Sequence, residues 1–137
     1  MLTDDMKITT VAPTATGTST ITSSAIDMTG FDECTVIVRL GSPATNNNIK
    51  LQQSATSGGS YADLTGTLRG NHATNNPLII NIARPRLGFL KYVVTRGTTT
   101  TIDSVTIIQG GSKGVRPVTQ PSGTASGTHY APAEGTA

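Results

Sequence analysis

The 137-residue chain contains no tryptophan, one cysteine, two phenylalanines and three tyrosines. Because large aromatic side chains usually dominate core packing, any core here must be small and built from Val, Ile and Leu. The single Cys34 excludes an intrachain disulfide, and its alternation with apolar residues predicts a buried structural thiol. A small aliphatic core favours a thin sandwich that gains stability from oligomerisation or from docking on a larger surface.

Sustained helical periodicity is also missing, whereas Ser and Thr together make up about a quarter of the chain, and Thr favours strands. Short alternating stretches between turn residues predict about seven β-strands. The clearest stretches are 31–40, 48–54, 78–82, 88–96 and 102–109, and weaker ones lie within 6–14 and 17–26. We therefore predict an all-β fold, a small antiparallel β-sandwich or jelly-roll-like body with extended N- and C-terminal arms.

Several pairings follow from the same pattern. A Gly-rich turn joins residues 48–54 to residues 61–64, which predicts a hairpin, and strand 48–54 is expected to pair with strand 88–96. Residues 65–77 are predicted to be a loop, and residues 96–101 a hairpin turn leading into the last strand. In the strand at 31–40, alternation places its apolar residues on one face. These are Cys34, Val36, Val38 and Leu40.

The length argues for one domain, in which composition distinguishes three segments. Residues 1–26 are N-terminal strands or an arm, residues 27–109 are the body, and residues 110–137 are a C-terminal arm. The last segment has six glycines and three prolines and almost no apolar bulk, so it cannot build a core of its own. We expect a neighbouring subunit or a larger assembly to hold it, the alternative being that it folds back on its own domain.

Charge and hydropathy limit the partners. The net charge of +2 is too small to predict nucleic-acid binding, although residues 84–137 hold six basic and only two acidic side chains. That excess either meets an acidic surface or forms a solvated basic face. The N-terminus lacks the pattern of a signal peptide and no apolar run exceeds about four residues, so we expect synthesis in a cytoplasm and no membrane partner.

Catalytic and metal-binding patterns are missing as well. His72 and His129 have no second His or Cys at ligand spacing, and no phosphate-binding loop or nucleophile elbow is present. The carboxylates, Asp63 among them, are expected in solvated turns, and Tyr92 is expected in the core. We therefore predict no enzymatic activity, no metal site and no cofactor.

Four stretches together resemble one family, the capsid cement or head decoration proteins of tailed bacteriophages. They are Lys50-Leu51-Gln52-Gln53-Ser54, Gly58-Gly59-Ser60-Tyr61-Ala62-Asp63-Leu64, Phe89-Leu90-Lys91-Tyr92-Val93-Val94-Thr95 and Gly114-Val115-Arg116-Pro117-Val118. The first two are similar to the hairpin of that family, the third to its Tyr-Val strand, and the last to its terminal segment. The resemblance covers about residues 31–118.

The resemblance implies a structural virion protein that is made in the host cytoplasm, binds the outer surface of the capsid and stabilises it. Its partners are then the major capsid protein and neighbouring copies of itself, as a dimer or a trimer, with no direct contact to nucleic acid. The residues expected to contact the shell or neighbouring copies are Arg84, Arg86, Lys113, Arg116 and Pro117. The alternative for the two Arg-Pro pairs is a role in turns only.

Two other functions remain open from the sequence. One is a tail, neck or fibre-associated virion protein, because small β-sandwiches serve many functions. The other is a carbohydrate-binding module or a small hydrolase using His72 or Asp63, although no tryptophan is present to form a sugar platform.

Overall fold

A computed structural model describes residues 2–42, 44–70, 76–114 and 116–125. It contains a four-residue helical turn, α1 (Leu2–Asp5), and eleven strands among those residues. The strands are β1 (Lys7–Val11), β2 (Thr14–Gly17), β3 (Ile21–Thr22), β4 (Ile26–Asp27), β5 (Glu33–Leu40), β6 (Asn47–Ser54), β7 (Ala62–Asp63), β8 (Arg69–Gly70), β9 (Leu78–Ala83), β10 (Phe89–Arg96) and β11 (Thr100–Gly110). No described helix is long and apolar enough to span a membrane.

The strands form two antiparallel sheets, which confirms the predicted all-β sandwich. In the first sheet the order is β1-β11-β5-β9, with β2 also pairing with β11. In the second the order is β3-β10-β6-β7, with β4 also pairing with β10 and β8 with β6. The predicted pairing of the strands at 48–54 and 88–96 is confirmed, because β6 and β10 pair over their whole lengths.

Aliphatic side chains from the inner faces of both sheets fill the space between them. Val36 and Val38 of β5 face Ile49 and Leu51 of β6 across this layer, and none of the four has exposed surface. The alternation predicted for residues 31–40 is confirmed, since Cys34 and the apolar residues that share its face are all buried. Period-two alternation alone therefore identified the core face of these strands.

The prediction of a hairpin turn at residues 96–101 is wrong. Strand β10 belongs to the second sheet and β11 to the first, so the connection at Gly97–Thr99 crosses from one sheet to the other. A Gly-rich turn between two β-like stretches is compatible with either geometry. The sheet that each strand joins depends on where its inner face can be buried, and the residues that bury it are distant in the sequence.

Other local predictions need smaller corrections. The region 17–26 contains two short strands, β3 and β4, instead of one, and the predicted loop at 65–77 contains the short strand β8. The hairpin of β6 and β7 is confirmed, with Gln52 opposite Asp63. Of the two alternatives for residues 1–26, strands are observed, because β1 to β4 pair with β11 or β10 of the body.

A buried arginine closes the end of the sandwich at which β10 ends. Arg96 is 4 % exposed, and its guanidinium donates hydrogen bonds to the carbonyl oxygens of Ala15 (2.8 Å), Ser19 (2.8 Å) and Thr100 (3.1 Å). Ala15 lies in β2, Ser19 lies in the connection from β2 to β3, and Thr100 begins β11. The guanidinium therefore joins the end of β10, in the second sheet, to β2 and β11 of the first. We call this the Arg96 end.

Replacing Arg96 by Met is expected to lower the free energy of unfolding by about 3 kcal/mol, because three carbonyl oxygens lose their donor in a buried site. Urea denaturation measures the difference. The matched control is Arg69→Met, since the exposed Arg69 bonds only to carbonyls of its own turn, at Gly66 and Leu68. Equal effects of the two substitutions would contradict the structural role assigned to Arg96.

Two buried acidic groups predict a loss of stability at alkaline pH. Burial raises the pKa of the Cys34 thiol to about 12 and raises the pKa of the Tyr92 hydroxyl above its ordinary value. Both groups are neutral when protonated, so below about pH 9 their contribution to the free energy of unfolding does not change with pH. Above about pH 9 the groups ionise more readily in the unfolded chain than in the folded one, so the free energy of unfolding falls as the pH rises towards about 12.

The free energy of unfolding is therefore expected to fall between about pH 9 and about pH 11, and each unit of pKa shift contributes about 1.4 kcal/mol to the total fall. The fall should be less steep in Cys34→Ala, because that variant lacks the thiol. Urea denaturation at several pH values measures the slope, and Tyr92→Phe tests the second group. An unchanged slope in both variants would contradict this explanation.

Candidate binding surfaces

The outer face of the first sheet carries isoleucine and threonine at positions where charged residues are common. Pairing aligns Thr10, Thr106, Ile37 and Ile79 in one row across the four strands, and Ile8, Ile108, Thr35 and Asn81 in the next. We call these eight residues the Ile–Thr face. Ile79 is 46 % exposed, and the other three isoleucines are partly exposed.

No residue of the Ile–Thr face is charged. The nearest charged residues on the same side of the sheet lie beyond the two rows, with Arg39 and Asp103 at one end and Glu33 at the other. Thr35 satisfies its hydroxyl within the face by donating to Asn81 Oδ1 (2.8 Å). An antiparallel sheet usually exposes polar residues on its solvent side, so an isoleucine in every strand of an outer face indicates a surface suited to contact with another protein.

The structure brings the five contact residues expected from the sequence to one end of the sandwich. This end, opposite the Arg96 end, is where β9 ends, β10 begins and β11 ends, and we call it the basic end. Arg84 and Arg86 lie in the connection from β9 to β10, whereas Lys113, Arg116 and Pro117 follow β11. Pro117 is exposed and its peptide bond with Arg116 is cis.

Two of these cations are paired within the chain. Lys113 Nζ lies 2.6 Å from Asp32 Oδ1, and an Arg116 nitrogen lies 2.8 Å from Asp5 Oδ1. Because these side chains are largely exposed, each pair contributes little to stability and its members can be drawn into other contacts. The structure therefore gives Lys113 and Arg116 a role in positioning the C-terminal segment on its own domain.

Arg84 differs from the other four residues in its backbone. Its φ is +51°, in the left-handed region, and Pro85 follows it, which restricts the helical conformations of the residue before it. The Arg84 N–H donates to the Asp32 carbonyl oxygen at 2.6 Å, which holds the turn in place. Glycine would adopt this conformation with less strain, so an arginine here points to a use for its side chain.

Up to Ala125, the C-terminal segment folds back on its own domain, which was the alternative to being held by a neighbouring subunit. Residues 116–125 contact α1 and the open edge of β1. The Val118 N–H donates to the Asp4 carbonyl oxygen (3.0 Å). The Gln120 side chain accepts from the Ile8 N–H (3.0 Å) and donates to the Met6 carbonyl oxygen (2.7 Å), as a paired strand would.

The segment therefore covers an edge that would otherwise present unpaired backbone groups, and it borders the Ile–Thr face at Ile8. Between residues 120–125 and β1 lies a groove of about 460 Å³. The sequence could not predict this contact, because a glutamine in a Gly/Pro-rich segment carries no signal of its partner.

Residues considered for catalysis do not form a site in the described part of the chain. Asp63 is bound by Lys50 Nζ (2.6 Å) and Gln52 Nε2 (2.7 Å), which lower the pKa of its carboxyl group. Tyr92 is buried in the core, as predicted. His72 and His129 lie outside the described residues, within which no group of three potential metal ligands occurs.

The Ile–Thr face is the candidate surface that sequence reasoning missed. A signal for it existed, because Ile37 lies between Val36 and Val38 and Ile79 lies between Leu78 and Ile80, so both strands have apolar residues on both faces. Such continuous runs usually indicate a strand covered on both sides. Only the sheet order shows that these residues form one continuous surface.

Gln120→Glu is expected to weaken the attachment of the C-terminal segment, because a carboxylate accepts from the Ile8 N–H but cannot donate to the Met6 carbonyl oxygen. The free energy of unfolding should fall by about 1 kcal/mol, and the Ile8 amide should exchange with solvent faster. Hydrogen exchange followed by NMR measures this. Thr119→Glu adds the same charge at an exposed neighbour and serves as control; equal exchange at Ile8 in the two variants would refute the proposed contact.

Comparison of the chain with protein-family models, curated proteins and solved structures finds no match.

Proposed function

We propose that this protein is a structural virion component that binds the outer surface of a tailed-phage capsid and stabilises it. The observation that carries the proposal is the uncharged Ile–Thr face, a sheet surface formed by four strands. Docking of this face on a capsid surface would bury its isoleucine side chains, which contributes about 25 cal/mol for each Å² removed from water. The resemblance of β6, β7 and β10 to capsid decoration proteins adds support from the sequence.

The scaffold of the sandwich suits such a role. Within the hairpin that carries the resemblance, Lys50 of β6 forms an ion pair with Asp63 of β7. The hairpin also contacts β10, because Lys91 Nζ lies 4.3 Å from the centre of the Tyr61 ring. These contacts join the outer elements of the second sheet into one unit. The outer face of the first sheet can then contact a partner, while the basic end supplies charged contacts at the border.

The proposal predicts that the purified protein binds expanded capsids that lack it and raises their melting temperature. Co-sedimentation measures the binding, and differential scanning calorimetry of the capsids measures the temperature. Failure to bind such capsids would contradict the proposal. Binding in a few copies at one vertex, instead of many copies over the shell, would assign the protein to the neck or tail.

Ile37→Lys tests whether the Ile–Thr face makes the contact. It places an unpaired charge at the centre of the face, which is expected to weaken capsid binding by about tenfold or more. Thr95→Lys introduces the same charge on the outer face of the second sheet and is expected to bind normally. Circular dichroism checks that both variants fold. Normal binding by Ile37→Lys would exclude this face as the contact.

A further inference from the structure

A cleft of about 420 Å³ opens between the free edges of the two sheets, next to the basic end. Ile82 of β9 lines one side, and Gln53 of β6 and Asp63 of β7 line the other. Arg84 and Arg86 form its rim. Every residue that lines the cleft belongs to the described part of the chain.

Arg84 and Arg86 each present a guanidinium group to this cleft. Within the described residues, neither side chain forms an ion pair or a hydrogen bond, in contrast to Lys113 and Arg116 at the same end. Both residues are exposed. A guanidinium is planar, always charged and able to donate two parallel hydrogen bonds to one carboxylate, so a pair of them favours an anionic group.

The backbone of Arg84 supports a role in binding. The residue holds a left-handed conformation immediately before a proline, and its N–H is fixed to Asp32. Strain of this kind persists where the surrounding structure imposes it, and it is common at binding sites. The turn therefore places the Arg84 side chain beside the cleft at a cost that glycine would avoid.

The carboxylate of Asp63 does not neutralise these arginines. It is already held by Lys50 and Gln52, and these hydrogen bonds lower its pKa, so it stays ionised and paired at neutral pH. The charge of Asp63 is balanced by Lys50, so among the described residues that line the cleft no anion compensates the positive charge of Arg84 and Arg86.

A second polar group in the cleft needs a partner. The Gln53 Oε1 atom is buried and accepts no hydrogen bond among the described residues. Buried polar atoms are nearly always bonded, and a ligand that enters the cleft can supply the donor for this atom. A peptide segment carries backbone N–H donors close to the carboxylate of an acidic side chain, whereas acetate carries no donor.

We propose that this cleft binds an acidic side chain, Glu or Asp, within an extended segment of a protein partner. The carboxylate lies between Arg84 and Arg86, and a peptide N–H of the same segment donates to Gln53 Oε1. The identification of that partner as the capsid surface rests on the proposed function, whereas the chemistry of the cleft does not.

A titration with a short peptide tests the binding chemistry. The probe is N-acetyl-Ala-Glu-Ala-amide, and its neutral match is N-acetyl-Ala-Gln-Ala-amide. We expect the Glu peptide to give saturable NMR shifts at the side-chain NH signals of Arg84, Arg86 and Gln53, and the Gln peptide to bind at least about tenfold more weakly. No saturable shift with the Glu peptide, or equal binding of inorganic phosphate alone, would overturn the proposal.

Two variants separate binding from folding. Arg84→Gly removes the guanidinium and relieves the left-handed backbone, so we expect a higher melting temperature together with loss of peptide binding. Arg86→Gln keeps the backbone and should also lose binding, while Arg69→Gln, at an exposed arginine outside the cleft, should bind normally. Normal peptide binding by Arg84→Gly together with a lower melting temperature would assign Arg84 a purely structural role.

Capsid binding distinguishes this proposal from the proposed function. If the wild-type protein binds the Glu peptide but no capsid, the proposed peptide binding by the cleft is supported and the proposed capsid function is contradicted. If the wild-type protein and Arg84→Gly bind capsids equally, the capsid role stands and the cleft is excluded from it.

Discussion

The buried guanidinium of Arg96 holds together an end of the sandwich at which the chain crosses between the sheets from β2 to β3, from β10 to β11 and from β5 to β6. Its hydrogen bonds reach β2, the connection from β2 to β3 and the first residue of β11. Asn47, paired with Arg96 in register, accepts from the Thr98 N–H (3.0 Å) and donates to the Ser42 carbonyl oxygen (3.3 Å), which joins the third connection, from β5 to β6. With a small aliphatic core, the alignment of the two sheets depends on these polar contacts.

The opposite, basic end is organised through exposed groups. Asp32 is its centre, because its backbone bonds to Arg84 and Gly110 and its side chain pairs with Lys113. Solvent screens these charges, so they stabilise the fold weakly. The two ends therefore have different uses: buried polar groups close one, whereas the other presents charge and a cleft to a partner.

Sequence reasoning succeeded where a strand could be recognised from its own alternation. The inner face of β5 and the burial of Tyr92 followed from local pattern, and the predicted pairing of β6 with β10 is confirmed. It failed at Gly97–Thr99, because a turn composition does not show whether the next strand joins the same sheet. The resemblance named Arg84, Arg86, Lys113 and Arg116 without distinguishing them. The structure pairs Lys113 and Arg116 with carboxylates and places Arg84 and Arg86 at the cleft.

The all-β class, the small aliphatic core and the buried state of Cys34 were determined by the sequence itself, because each follows from composition or from a period of two along one strand. The tertiary structure alone decided the sheet order, the Ile–Thr face, the edge contact of Gln120 and the cleft beside Arg84. Each of these brings together side chains from strands distant in the sequence, and no local pattern encodes which strands become neighbours.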